Sequence, residues 1–202
     1  MKIKHIVFDI GNVLIEWDSE LAFLEQIPDR TERLWFLENI CTTLWNIEQD
    51  RGRDWREAEE LLIKAHPQQA DNIRCFRRNW PMMIPREIPG SVAILETLLQ
   101  QGYDVTMLTN FATDTFKVAR EKYKFLDSSR GTTVSGDEGF IKPDKAIFQH
   151  HVQRFELSAP HCLFIDDSEK NVAGAKNAGW QAIQFHNAET LKSDLERFGF
   201  KL

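Results

Sequence analysis

Six residues whose side chains bind cations or anions stand directly behind short apolar runs or close to one. Asp9 follows "HIVF", Thr109 and Asn110 close "DVTMLTN", Asp166 and Asp167 follow "CLFI", and Lys142 lies in "GFIKPD". If the runs are parallel strands, all these residues gather beyond the carboxyl ends of one sheet, where ligands bind in open α/β folds. Three carboxylates, a hydroxyl, an amide and an ammonium at one edge make a site for a hard cation and an anion together. Mg²⁺ takes oxygen ligands and commonly keeps one or two carboxylates plus substrate phosphate, so Asp9, Asp166 and Asp167 are its expected ligands. A carboxylate can also attack phosphorus directly when a metal and a positive group screen the repulsion. Lys142, Thr109 and Asn110 would then hold the phosphoryl oxygens.

The elements that must position these groups are legible as alternating patterns. Residues 3 to 9, 103 to 110, 131 to 136, 161 to 167 and 181 to 185 are short, β-rich and bounded by turn residues. Helical periods separate most of them. Residues 91 to 102 stop at Gly102, residues 144 to 157 take Asp144 as N-cap, and residues 168 to 179 start at Ser168 and stop at Gly179. Alternation of strand and helix predicts a doubly wound parallel sheet, an α/β fold of Rossmann type. Residues 19 to 85 differ, since three helical stretches and four tryptophans follow one another without a strand signal. They are expected to form a small helical cap inserted into a core domain of residues 1 to 18 and 86 to 202, with Pro81, Pro85, Pro89 and Gly90 at the exit.

Bulk properties narrow the function classes. The chain has 202 residues, room for one substantial core plus a small lobe, and its net charge of -6 offers no footprint for nucleic acid. Cys41, Cys75 and Cys162 are odd in number and widely spaced, which fits a reducing cytoplasm better than a disulfide framework. No signal segment and no membrane-length apolar run is read in the sequence. The expected partner is a small metabolite.

Taken in order, "VFDIGNVL", "LTN", "IKPD" and "FIDDSEKN" resemble the four signatures of the haloacid dehalogenase-like (HAD) hydrolase superfamily, most of whose members are phosphatases. The resemblance implies that Asp9 is the nucleophile and a metal ligand, that the Gly11 carbonyl is another ligand, and that Asp166 and Asp167 complete a Mg²⁺ site, with Asp167 the closer. Thr109 and Asn110 would bind phosphate, Lys142 would neutralise charge, and Asn171 would orient the acidic loop. The expected function is Mg²⁺-dependent hydrolysis of small phosphorylated metabolites through an aspartyl-phosphate.

One position departs from the pattern. Many phosphatases of this superfamily carry a second Asp where Gly11 stands, and that Asp serves as general acid and base, a function worth ~10²–10⁴-fold. "DIGNV" resembles the form found in a subgroup of bacterial sugar-phosphate phosphatases, so Gly11 does not by itself imply an inactive protein. A group from the cap, an ordered water or an easily departing sugar 1-phosphate could compensate. Two alternatives remain behind the leading one. A metal-free 2-haloacid dehalogenase fits poorly with Gly11 and the Asp166/Asp167 pair, and a non-catalytic phosphate-ligand-binding protein fits poorly with the intact nucleophile, lysine and carboxylates. In the cap, Asn46, Glu48, Asp50 and Arg51 could face substrate and Trp45 could stack on a sugar. An amphipathic helix with Trp45 in the lobe core and its charges in water is the favoured reading. His150 and His151 are read as surface or boundary residues, and Cys162 as a small buried hydrophobe.

Overall fold

The computed structural model describes residues 2–202. Five parallel strands, β1 (His5–Phe8), β2 (Asp104–Thr109), β3 (Thr132–Val134), β4 (Cys162–Asp166) and β5 (Gln181–Gln184), form one sheet in the order β3-β2-β1-β4-β5. Phe8 pairs with Met107 on one side and Ile165 on the other, so the chain leaves β1, β2 and β4 at neighbouring points on one edge. Alternate side chains sort to opposite faces, as a pleated strand requires. Ile6, Phe8, Val105, Met107, Leu163 and Ile165 enter one core, whereas Val7, Leu108, Cys162 and Phe164 enter the other.

Helices cover both faces, because strands apolar on two sides cannot leave either side in water. α5 (Pro89–Gln100), α6 (Thr113–Lys122) and α10 (Ala188–Arg197) pack on the first face. α8 (Lys145–Arg154) and α9 (Glu169–Asn177) pack on the second, and the single turn α7 (Ser135–Glu138) follows β3. The positive φ of Gly102 (78°) and Gly179 (89°) ends α5 and α9 where the sequence places their stops. Ser168 precedes α9 without capping it. Asp166 Oδ1 takes the Ser168 amide instead, at 2.8 Å, so a site carboxylate does the capping.

Between β1 and α5 the chain forms short 3₁₀ turns at Ser19–Phe23 and Trp80–Met83 and four helices, α1 (Arg30–Asn39), α2 (Thr43–Asp50), α3 (Trp55–Ala65) and α4 (Ala70–Arg78). The long helical period of residues 31 to 50 is broken because Thr42 adopts an extended conformation and caps α2 through the Trp45 amide. Residues 20 to 27, helical in period, make only the 3₁₀ turn, after which Asp29 caps α1. Phe23, Phe36, Trp45, Trp55 and Phe76 form the aromatic core of this insert, with Trp45 edge-on to Trp55 and Phe76. The entering and leaving segments run side by side, joined by Glu16 N–H to Arg86 O at 3.0 Å and Ile88 N–H to Leu14 O at 2.8 Å. No helix among the described residues is long and apolar enough to cross a membrane.

His151 is fully buried and bonded at 2.9 Å to both Thr106 and Thr133, which corrects its expected place at the surface or boundary. Its neighbour His150 keeps a half-buried position against Glu138. The helix turns consecutive residues by about a quarter circle, so one faces the sheet while the other does not.

Candidate active site

At the end of β1 the chain turns sharply. Asn12 sits at φ 54°, a left-handed conformation that Asn tolerates better than most residues, and its side-chain oxygen takes the Trp17 amide at 2.9 Å. This explains Asn12 after the strand, whereas the open space around Gly11 shows that a side chain there would meet no steric obstacle. Asp9 is nearly buried. Its Oδ1 accepts the Ile10 amide at 2.7 Å and lies 2.7 Å from Lys142 Nζ.

Lys142 Nζ lies equally close, 2.7 Å, to Asp166 Oδ2. Its backbone is clamped by Asn110, whose side-chain oxygen accepts the Lys142 amide at 2.9 Å while its Nδ2 donates to the Lys142 carbonyl at 3.1 Å. Asn171 Nδ2 donates to both oxygens of Asp166, at 3.0 and 3.1 Å. Thr109 is buried at the last position of β2. Asp167 is half-buried. The structure thus brings Asp9, Lys142, Asp166 and Asp167 together, with Thr109, Asn110 and Gly11 on the adjoining loops.

The charges do not balance within the protein. One ammonium faces three carboxylates whose oxygens lie within 4.8 Å of one another. Burial pulls the Lys142 ammonium down, but Asp166 and Asp9 outweigh it and raise its pKa. Burial also pushes the Asp9 carboxyl up to about 8, relieved in part by Lys142 and reinforced by Asp166. Asp167 is shifted upward by burial and then by Asp166. A cation would remove this repulsion. The donor set fits one, since Asp9 Oδ2 and the Gly11 carbonyl accept no hydrogen bond among the described residues and all donors are oxygen, as a hard divalent ion prefers. Asp166 differs from the other two in that both its oxygens are already taken by protein donors.

Beside this cluster opens a cavity of about 320 Å³, enough for a small metabolite. The sheet edge contributes Gly11, Asn12, Asn110 and Asp167, and α2 contributes Thr43, Asn46, Ile47 and Asp50. Those four recur at the i, i+3, i+4 and i+7 spacing of one helix face. Asn46 and Asp50 therefore look onto the cavity, contrary to the favoured reading of this helix as a solvated surface. Trp45 keeps to the insert core as expected.

A parallel sheet that presents a carboxylate and lysine cluster at its carboxyl edge, beneath a helical insert, defines an α/β fold whose site suits a cation beside an anion. The family model for haloacid dehalogenase-like hydrolases matches residues 3–179, and the chain belongs to that family. Among curated relatives, flavin mononucleotide hydrolase 1 of Arabidopsis thaliana is 27% identical over 57% of this chain, which spans 46% of that protein. Phosphoglycolate phosphatase of Mannheimia succiniciproducens is 23% identical over 89% of this chain and 84% of its own. A HAD family enzyme of Bacteroides thetaiotaomicron, solved as a magnesium complex, shares the fold at a TM-score of 0.74, with 20% identity over 98% of this chain and all of the other.

Proposed function

We propose that the chain is a Mg²⁺-dependent phosphatase of small phosphorylated metabolites, with Asp9 as nucleophile. The observation that carries this reading is the Asp9 carboxyl, pinned through Oδ1 by Lys142 and the Ile10 amide beside two further carboxylates. Asp9, Asp167 and the Gly11 carbonyl would hold the metal, with Asp166 beside them fixing Lys142. When bound, Mg²⁺ supplies charge neutralisation between carboxylate and phosphoryl oxygens. Lys142 adds positive charge at the transferring group, and Thr109 and Asn110 position it. Asp9 attacks phosphorus, the alcohol leaves, and water hydrolyses the aspartyl-phosphate. Residues 19 to 85 serve as a cap over a core of residues 1 to 18 and 86 to 202, excluding bulk water and selecting the substrate. The phosphatases among the relatives support the substrate class, and "DIGNV" resembles the sugar-phosphate subgroup. Three free, buried cysteines support a reducing cytoplasm.

The test is a panel of phosphorylated metabolites, sugar 1-phosphates included, incubated with the native chain and with Asp9→Asn, each with Mg²⁺ and with chelator. Phosphate release is expected only from the native chain with metal. Phosphate release by Asp9→Asn would refute Asp9 as nucleophile. Halide release from 2-haloacids that persists in chelator would instead favour a dehalogenase.

A further inference from the structure

With glycine at position 11, the turn after β1 lacks a carboxyl at the place where many phosphatases of the family carry their proton donor. We propose that Asp50, the last residue of α2, is the general acid and base of this hydrolase, acting from the insert on the substrate held at the sheet edge. The inference rests on the phosphatase reading and names the group which that reading lacks.

Three features of the structure carry it. Asp50 shares the wall of the cavity with Gly11, Asn110 and Asp167, the space that a phosphate ester bound at Asp9 would enter. It has no cationic partner within ion-pair distance among the described residues. The one hydrogen bond its carboxyl accepts among the described residues comes from a neutral donor, Asn46 Nδ2 at 3.2 Å. It also sits in the last turn of α2, at the negative end of the helix dipole, where a carboxylate is electrostatically misplaced. A residue kept for helix stability would be basic there.

The position is rigid as well as misplaced. The Asp50 carbonyl accepts Ser135 Oγ at 2.5 Å, and Arg51 turns away to Asp144 at 3.2 Å. Gly52, at φ 105°, lets the helix end lie so close to Gly136 that an added Cβ would be 3.0 Å from its carbonyl. A proton donor must be held in this way to work. Burial, offset partly by the Ala112 amide and Lys142, places the Asp50 carboxyl at about 7, where it can both give and take a proton at neutral pH.

In the first step the Asp9–phosphorus bond forms as the ester P–O bond breaks, and the Asp50 proton moves to the departing oxygen, so the alcohol leaves neutral. In the second, Asp50 takes a proton from the attacking water as the water–phosphorus bond forms and the Asp9–phosphorus bond breaks. Phosphate is released and the acid is restored.

The experiment compares an alkyl phosphate with 4-nitrophenyl phosphate, whose leaving group needs no proton, in the native chain, Asp50→Asn, and Asp50→Asn combined with Gly11→Asp. Asp50→Asn is expected to lose about 10²–10⁴-fold in turnover on the alkyl ester. On the aryl ester it should give a burst of one nitrophenolate per active site and then slow turnover, which also shows that the variant is folded. Gly11→Asp, for which the cavity has room, should restore alkyl ester hydrolysis. Native turnover on both esters by Asp50→Asn would overturn the proposal while leaving the phosphatase reading intact, as would an equal loss on both without a burst. Absence of phosphate release from either ester by the native chain would overturn that reading and this inference with it.

Discussion

Lys142 serves two carboxylates with one charge, and its side chain is only 1% exposed. Burying such a group is favourable only while its partners remain, because removing one member of a buried pair leaves an uncompensated charge at a cost of about 3–5 kcal/mol. Lys142→Met in metal-free protein at neutral pH is therefore expected to lose stability of that order, measured by urea unfolding, with part recovered on adding Mg²⁺ because binding to the folded state alone stabilises it. Unchanged stability would mean that the carboxylates find their counter-charge elsewhere. The identity of this lysine was legible in "IKPD", yet its environment was not. Sequence order placed Asn110 and Asn171 near the site, but only the folded chain shows that Asn110 spends its side chain on the Lys142 backbone and Asn171 on Asp166. Pairing of this kind depends on loop conformation, which leaves no periodic trace.

The loop carrying Lys142 is supported by α9, where Gly174 packs against it. A Cβ added at Gly174 would lie 2.6 Å from the Pro143 carbonyl oxygen and 2.8 Å from the Pro143 Cβ, so the loop or the helix would have to move. In an exposed helix Gly→Ala gains about 0.8–1.0 kcal/mol, whereas overpacking costs about 1–3 kcal/mol. The contact should win. Gly174→Ala is expected to lower the melting temperature and, by shifting Lys142 from Asp9 and Asp166, to reduce kcat on a phosphate ester about tenfold or more, although residue 174 touches no substrate. A stabilised variant with native kcat would show that the loop yields freely. The strands and the helices 91 to 102, 144 to 157 and 168 to 179 were legible to within a few residues, since continuous apolar runs and Gly stops are local signals. The insert was less so. Its helical period at residues 31 to 50 ran through the break at Thr42, and residues 20 to 27 had the composition of a helix without making one. Asp50 is among the four polar residues of this stretch that could face substrate, yet periodicity alone favours a solvated face, and only the fold shows that Asn46 and Asp50, rather than Glu48 and Arg51, lie with Thr43 and Ile47 on the cavity side.

The order β3-β2-β1-β4-β5 puts β1 at the centre between β2 and β4, so residues more than 150 positions apart in the chain form one site only when the whole sheet is intact. Strand order was not readable from local pattern, and one of the contacts that secures it is polar. His151 on α8 bridges Thr106 of β2 and Thr133 of β3 from within the second core, in place of the apolar residue that helical periodicity leads one to expect. Burial first, and then neighbouring Arg154, His150 and Arg130, push its pKa down from 6.5 to about 3. The folded chain thus keeps His151 neutral where the unfolded chain protonates it. Between these two values the unfolded state binds more protons, so stability rises with pH across the window and is progressively lost as the solution is acidified from about 6.5 towards 3. The buried carboxyls with raised pKa values, Asp9 and Asp50, act with the opposite sign, and a variant that leaves them untouched cancels their contribution. His151→Gln retains an acceptor and a donor for the two threonines but cannot take up the proton. Urea unfolding of metal-free protein at a series of pH values from 7 to 4 is expected to show the native chain losing more stability than His151→Gln, by an amount on the order of a few kcal/mol at the acid end. Parallel stability curves for the two proteins would mean that His151 already carries its proton in the folded state, with both threonines acting as acceptors, and that the link between α8 and the sheet is an ionic rather than a neutral one.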